Sequence, residues 1–173
     1  MPGSRLAIAL AVGLVAACQA SGPAQVASAP TTIRFSPPTC DYAVSFPVRP
    51  EIGVNADQSR YVAMATTGTD SRRTVYYAEC VPEAGVGAER AAQLLASLAR
   101  AEALVEVEAF DIETEVGQGY ALTGRNTVSS TPYQHQYVVV PGPMSAMVYG
   151  AASPAAGYPT AAVEAHFASI EAR

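Results

Sequence analysis

Large apolar residues alternate with polar or small ones along much of the chain, and this period of two is typical of half-buried β-strands. In "CDYAVSFPV", every second residue from Tyr42 to Phe46 is large and apolar, which predicts a strand that ends at Pro47. Two further segments, "RYVAMATT" (residues 60–67) and "TVYYAECV" (residues 74–81), flank the polar turn "GTDSRR". These two segments are therefore predicted to pair as a β-hairpin.

The period changes in "AERAAQLLASLARAEAL", from Ala88 to about Leu104. Hydrophobic residues recur there at spacings of three and four, which is the pattern of an amphipathic helix. The apolar face of this predicted helix consists of Ala91, Leu94, Leu95, Leu98 and Ala101. A closing helix is predicted after Thr160, whose hydroxyl group can cap the first turn. Its apolar face would carry Val163, Phe167 and Ile170.

Alternation returns after the first predicted helix, in "VEVEAFDIETEV" (residues 105–116), with a slip near Ala109 that predicts a β-bulge. Turn residues separate three more predicted strands, at residues 119–128, 133–140 and 145–152. The order of strands, helix, strands and helix predicts one α+β domain over residues 33–173. Its centre would be an antiparallel sheet of about six to seven strands covered by two helices.

Three segments of this predicted domain, "YAVSFPVRPEI", "MVYGAAS" and "HFASIEA", resemble parts of a known fold. It is the sandwich shared by the PsbP subunit of photosystem II, a Ran-binding nuclear import factor and many small bacterial envelope lipoproteins. The resemblance covers roughly residues 40–172 and implies a helix, sheet, helix sandwich. It also implies a protein that acts by binding other macromolecules rather than by catalysis, and it supplies no site residues.

The N-terminus is typical of an export signal, because Arg5 precedes the apolar run "LAIALAVGLVAA". This run is shorter than the about 20 residues that a membrane-spanning helix needs. The residues "VAAC" (Val15–Cys18) resemble the lipobox of bacterial lipoproteins, in which a branched residue and two small residues precede a cysteine that is diacylated. The resemblance implies a signal peptide at residues 1–17 and a lipid, including palmitate, on Cys18.

Residues 18–32 are predicted to be the lipidated cysteine and a disordered linker, because "QASGPAQVASAPTT" has neither charge nor periodicity. Gln19 follows the cysteine where an aspartate would commonly mark retention in the inner membrane. The resemblance therefore favours attachment to the outer membrane, on the periplasmic face of the bacterial envelope. The alternative is a plain signal peptide cleaved near Ala17 or Ala20.

The chain has three cysteines, and an odd number in an exported protein needs an explanation. If Cys18 carries lipid, Cys40 and Cys80 remain as a pair in an oxidising compartment. A disulfide between Cys40 and Cys80 is therefore predicted. The alternative is two buried free thiols.

The net charge of -5 argues against a nucleic-acid partner, because neutralising phosphates requires clustered basic residues. All ten basic residues are arginines, since the sequence contains no lysine. The absence of lysine excludes a Walker A motif, a Schiff-base lysine and a Ser-x-x-Lys nucleophile. The sequence also lacks tryptophan but has nine tyrosines, which suit sheet surfaces and interfaces.

Neither histidine lies in a recognisable metal-binding or catalytic pattern. His135 lies mid-strand between Tyr133 and Tyr137, which are poor zinc ligands. His166 and Glu164 are spaced so that they fall on different helix faces. We expect His135 to be a half-exposed strand residue and His166 a solvated helix residue, although a metal site of His135 with Cys80 or a carboxylate stays open.

Other candidate chemistry has an ordinary structural explanation. The carboxylates of residues 106–115 include Glu113 and Glu115 on one strand face, a pattern compatible with acid/base catalysis or calcium binding. A half-buried strand would show the same polar stripe. Ser145 lacks a Gly-x-Ser-x-Gly context and is predicted to be a turn residue. No catalytic, metal or cofactor site is therefore predicted.

The sequence thus predicts a lipid-anchored periplasmic protein whose domain is a non-catalytic protein-binding or assembly module. Its expected partners are a membrane, through the lipid on Cys18, and an unidentified envelope protein. Two alternatives remain open. One is a small-ligand carrier, and the other is an envelope hydrolase or metal-dependent enzyme whose site is assembled from distant residues.

Overall fold

A computed structural model describes residues 32–55, 60–128 and 130–173. The strands are β1 (Ile33–Phe35), β2 (Tyr42–Phe46), β3 (Glu51–Val54), β4 (Tyr61–Thr67), β5 (Thr74–Val81), β6 (Val105–Thr114), β7 (Gly117–Asn126), β8 (Tyr133–Pro141), β9 (Ala146–Pro154) and β10 (Glu171–Ala172). The helices are α1 (Ala88–Ala101) and α2 (Ala161–Phe167), with a short 3₁₀-helix at Asp70–Arg72. These elements confirm the predicted α+β class.

Seven strands form the central sheet, in the order β3-β4-β5-β9-β8-β7-β6, and every neighbouring pair is antiparallel. The predicted hairpin is confirmed, since β4 pairs with β5 and Met64 lies opposite Tyr77. The strands β1, β2 and β10 form a separate three-stranded sheet. The sequence pattern predicted β2 but missed β1, β3 and β10, which are too short to show a period.

Helix α1 covers one face of the central sheet, which we call the α1 face. Leu95 of α1 is buried in the same cluster as Leu122, Val139 and Val148, which belong to three neighbouring strands. The predicted apolar stripe therefore faces the sheet, although Ala99 is buried while Ala101 is exposed. The helix ends three residues earlier than predicted, and Ala103 just after it adopts a positive φ of 49°.

Helix α2 and the three-stranded sheet cover the opposite face. Phe46 of β2 and Val163 of α2 are fully buried in one cluster with Val138 and Tyr149 of the central sheet. Thr160 caps α2 as predicted, because its hydroxyl accepts a hydrogen bond from the Val163 N–H at 3.3 Å. The central sheet is thus packed between two layers.

A disulfide joins Cys40 to Cys80, as predicted, with the two Cα atoms 5.8 Å apart. Cys80 belongs to β5 of the central sheet, whereas Cys40 lies just before β2 in the covering layer. The bond therefore connects two layers rather than two strands of one sheet.

Strand β6 differs from its prediction as a half-buried strand. It is the last strand of the central sheet, and most of its residues are exposed. Helix α1 packs against β7 and β8 instead, so Val105, Val107 and Phe110 keep more than two-fifths of their surface. The irregularity predicted near Ala109 lies slightly earlier, between Val105 and Glu108.

The predictions for the N-terminal region, including the signal peptide at residues 1–17 and the lipid on Cys18, lie outside the described residues. Within the described ranges, no helix has the length and apolar character needed to cross a membrane.

Candidate functional site

The structure buries both histidines, contrary to the prediction that each would be at least half-exposed. His135 retains 5% of its surface and His166 retains 2%. His166 lies on the face of α2 that packs onto the central sheet, so the predicted solvated face was the wrong one. His135 lies in β8 near the middle of the sheet, where strands on both sides shield it.

His135 lines a cavity of about 450 Å³ on the α1 face of the sheet. We call this cavity the tyrosine pocket, and its lining includes Met64, Tyr77, Glu102, Tyr133, His135 and Tyr137. The register explains why these residues meet. Met64, Tyr77 and Tyr137 share one cross-strand row, with Gly150 between the two tyrosines, so their side chains point to the same face.

The ring of His135 contacts a tyrosine hydroxyl rather than a charged group. Its Nδ1 atom lies 3.4 Å from the Oη atom of Tyr137. Burial lowers the pKa of His135 to about 4, so its imidazole is neutral at pH 7. Burial also raises the pKa of Tyr137, so its phenol keeps its proton.

Tyr77 is held in the pocket wall by a buried carboxylate. Its hydroxyl donates a hydrogen bond to Glu79, which also forms an ion pair with Arg60. Glu79 retains only 8% of its surface, and a buried carboxylate needs such partners to offset its lost hydration. The Tyr77 ring also meets Tyr137 edge to face, with the ring centroids 6.1 Å apart. Two pocket rings are thus fixed in position.

A second and larger cavity, of about 710 Å³, runs between α1 and the strands β6 and β7. We call it the α1–β6 groove, and its lining includes Ala92, Ala96, Leu104, Val107, Ala109 and Tyr120. The groove exists because α1 presents mainly alanines to this side, and methyl groups cannot fill the space above the sheet. Its lining is mostly apolar.

The outer edge of this groove is acidic. Glu106, Glu108, Asp111 and Glu113 are all exposed on β6, as expected for a solvated face. Only Glu106 among these four is paired within the described chain, with Arg125 at 3.3 Å. In the described ranges, no group of three or more His, Cys, Asp or Glu side chains is arranged to hold a metal ion.

Ser145 lies in the turn between β8 and β9, as predicted, and it is a buried structural residue. Its hydroxyl oxygen accepts a hydrogen bond from the Asp41 N–H at 2.8 Å, and Asp41 accepts two backbone hydrogen bonds in return from Met144 and Ser145. Cys40 and Cys80 serve the connection between layers and line neither cavity.

Sequence reasoning identified His135 and the tyrosines but not the pocket that they form. The pocket depends on register across four strands, and on Glu102 from the turn after α1. The spacing of residues within one strand reveals neither the register between strands nor the position of Glu102. The alanines of α1 were the only sequence signal for the α1–β6 groove, because a helix face of small residues packs less closely than one of leucines.

Comparisons with known proteins support the fold alone. No protein-family model matches the sequence, and no curated protein matches it significantly. The chain is similar to a crystal structure of a protein from Bacteroides thetaiotaomicron VPI-5482, with a TM-score of 0.53 and 12% sequence identity. The similarity covers 81% of this chain and 48% of that one, so this chain spans about half the length of that structure.

Proposed function

We propose that this chain is a lipid-anchored protein of the bacterial envelope whose domain is a non-catalytic binding module. The lipobox-like residues Val15–Cys18 support the anchor, with Cys18 as the lipidated residue and the outer membrane as the favoured location. The disulfide between Cys40 and Cys80 is consistent with an oxidising compartment such as the periplasm.

The observation that carries the binding role is the α1–β6 groove beside an open strand. In the described part of the chain, no strand pairs with the outer edge of β6. Its free backbone groups can therefore pair with an added strand, which is a common mode of peptide recognition. Val107 and Phe110, which both contribute to the lining of the groove, add exposed apolar surface.

The partner that fits this surface is an extended segment of an envelope protein in which basic and apolar residues alternate. The carboxylates of Asp111 and Glu113, which share one face of β6, would face its basic residues across the new strand pair. A second copy of this chain fits poorly, because pairing two β6 edges would oppose like charges.

The test uses two synthetic peptides, one alternating arginine with valine and one alternating glutamate with valine. NMR titration of the disulfide-bonded domain should show saturable shifts at β6 with the basic peptide, and at least ten-fold weaker binding of the acidic peptide. The variant Asp111→Lys/Glu113→Lys should weaken binding of the basic peptide, whereas Glu51→Lys on the opposite edge strand should not. Equal binding of both peptides, or shifts confined to other surfaces, would refute the proposal.

Photo-crosslinking in the native envelope then tests whether the same edge is used in cells. A crosslinker at Phe110 should capture a partner, and a crosslinker at Ile52 should not, although Ile52 is an even more exposed apolar residue on the opposite edge strand. The captured protein should contain a basic and apolar segment that competes with the peptide. Capture at both positions alike would indicate non-specific proximity.

The anchor has a separate test. Metabolic labelling with a palmitate analogue should tag the wild-type chain, and the tag should disappear in Cys18→Ala. A tag that persists in this variant would contradict lipidation at Cys18.

The groove also favours one alternative, a carrier of a small apolar ligand. Its volume of about 710 Å³ lies within the range of roughly 300–1,000 Å³ that is usual for ligand sites. A fluorescent fatty acid should then bind with an affinity that Ala96→Leu abolishes. Binding of the fatty acid without binding of the basic peptide would favour the carrier over the protein-binding module.

A further inference from the structure

The tyrosine pocket combines aromatic surface with a single carboxylate. Three tyrosines and the thioether of Met64 contribute to its walls, and among the described residues Glu102 is the only acidic one in its lining. None of the described arginines belongs to the lining. At neutral pH His135 adds no positive charge, because burial keeps its imidazole deprotonated. The pocket is therefore aromatic and carries a net negative charge.

The hydroxyl groups of two lining tyrosines already form hydrogen bonds within the protein. A ligand can therefore use the faces of their rings. The hydroxyl of Tyr77 donates to Glu79, and the hydroxyl of Tyr133 donates to the backbone oxygen of Asp70 at 3.3 Å. A ligand that enters the pocket thus meets the electron-rich faces of the rings rather than free hydroxyl donors.

The Glu102 carboxylate has no counter-ion within the described ranges. Its backbone oxygen accepts a hydrogen bond from Asn126 Nδ2 at 2.6 Å, which fixes this residue at the pocket. Glu102 lines the same cavity as Tyr137, and its charge adds to the larger effect of burial in raising the pKa of Tyr137. The pocket thus offers an uncompensated negative charge next to aromatic rings.

We propose that the tyrosine pocket binds a small organic cation of the alkylammonium class, with Glu102 as its counter-charge and the tyrosine rings around its apolar substituents. A cation is attracted to the face of an aromatic ring, and this attraction is the common basis for recognising quaternary ammonium groups. Met64 adds a polarizable, flexible surface that suits methyl groups. The volume of about 450 Å³ accommodates a ligand of this size.

This site is independent of the proposed protein-binding surface, because no residue in the described part of the chain lines both the tyrosine pocket and the α1–β6 groove. A failure of one proposal therefore leaves the other standing. The two also predict different probes, a peptide for the groove and a small cation for the pocket.

Isothermal titration of the disulfide-bonded domain with benzyltrimethylammonium and with choline tests the proposal. The neutral isostere of choline, 3,3-dimethylbutan-1-ol, serves as the control ligand. We expect both cations to bind and the isostere to bind at least ten-fold more weakly. NMR shifts on adding choline should map to Tyr77, Tyr133, Tyr137 and Met64.

Two matched variants test the role of the carboxylate. Glu102→Gln should weaken choline binding about ten-fold, whereas Glu108→Gln removes the same charge on the exposed β6 edge and should leave affinity within two-fold. Tyr133→Leu tests the contribution of an aromatic ring at a half-buried position. This variant should weaken the binding of both cations, and its NMR spectrum should remain that of a folded protein. Equal binding of choline and its isostere, equal effects of Glu102→Gln and Glu108→Gln, or shifts outside the pocket would each overturn the proposal.

Discussion

The Nδ1 atom of His166 lies 2.8 Å from the carbonyl oxygen of Ser45, and this contact joins α2 to β2 in the layer that covers the central sheet. Four aromatic rings surround the imidazole at centroid distances of 5.1–6.0 Å, namely Phe46, Tyr76, Tyr149 and Phe167. Burial lowers the pKa of His166, so the ring is neutral at pH 7 and donates its Nδ1 proton to Ser45. His166 is thus a structural core residue.

Acidification should destabilise the domain through its two buried histidines. The pKa of His135 is about 4 in the folded state, below the value of about 6.5 expected for the unfolded chain. The unfolded state therefore binds more protons between these two values. The contribution of neutral His135 to stability should be complete above pH 6.5. The free energy of unfolding should then fall between pH 6.5 and pH 4, by up to about 3 kcal/mol for His135 alone. Burial also lowers the pKa of His166, so this residue should further reduce the free energy of unfolding as the pH falls.

Urea unfolding at a series of pH values measures this effect. His135→Gln should show a shallower decline between pH 6.5 and pH 4 than the wild type, because its amide does not titrate. The carboxylates titrate in both proteins, so the difference between the two curves isolates the histidine. Identical pH profiles would show that His135 is not held neutral by burial.

The elements with a long and regular pattern were predictable from the sequence. Helix α1 has a clear period between three and four, and the hairpin of β4 and β5 is bounded by an obvious turn. Strand β3 was missed because its four residues, Glu51–Val54, are too few for the alternation of Ile52 and Val54 to establish a period, and all four are exposed. Short edge strands form because a neighbouring strand supplies hydrogen-bond partners for their backbone. The residues of the short strand itself do not reveal which strand that will be.

The burial of single polar residues was not predictable for a related reason. His135 follows the alternation of β8, and nothing in "YQHQY" indicates that the neighbouring strands would shield it. Phe110 shows the opposite error, since its strand has a half-buried pattern but lies at the sheet edge. In both cases the position of the strand within the sheet decides exposure, and long-range pairing sets that position.

Reduction of the disulfide should destabilise the domain by about 4 kcal/mol, because the bond between Cys40 and Cys80 closes a loop of roughly 40 residues in the unfolded chain. Thermal unfolding with and without reductant measures the difference. The double variant Cys40→Ala/Cys80→Ala should be insensitive to reductant. Alkylation of both cysteines in the native, unreduced protein would contradict the bond itself.

Asp41 should contribute to stability through hydrogen bonds between layers. Its Oδ2 atom accepts from the backbone N–H groups of Met144 and Ser145, each at 2.7 Å. Asp41→Ala would leave both donors unpaired and should cost about 2 kcal/mol, since hydrogen bonds to a charged acceptor are among the stronger ones. Asp111→Ala on the exposed face of β6 is the matched control and should change the free energy of unfolding by less than about 0.5 kcal/mol.

Gly150 should tolerate no side chain, because it lies between two aromatic residues in the middle of the sheet. Its cross-strand neighbours are Tyr77 and Tyr137, and a methyl group there would collide with the Tyr137 ring and with the backbone oxygen of Gln136. The backbone cannot retreat, since β9 is paired on both sides. Gly150→Ala should therefore destabilise the domain by about 1–3 kcal/mol, the usual cost of overpacking a filled core.

Gly53 provides the control for this substitution. It lies in the edge strand β3, and a methyl group added there would meet no atom within 4 Å. Gly53→Ala should leave stability unchanged or raise it slightly, because alanine reduces the conformational freedom of the unfolded chain. Chemical denaturation of both variants gives the comparison. If Gly150→Ala proved as stable as Gly53→Ala, the Tyr137 ring would have room to move away from β9, and the wall of the tyrosine pocket would be adaptable rather than fixed.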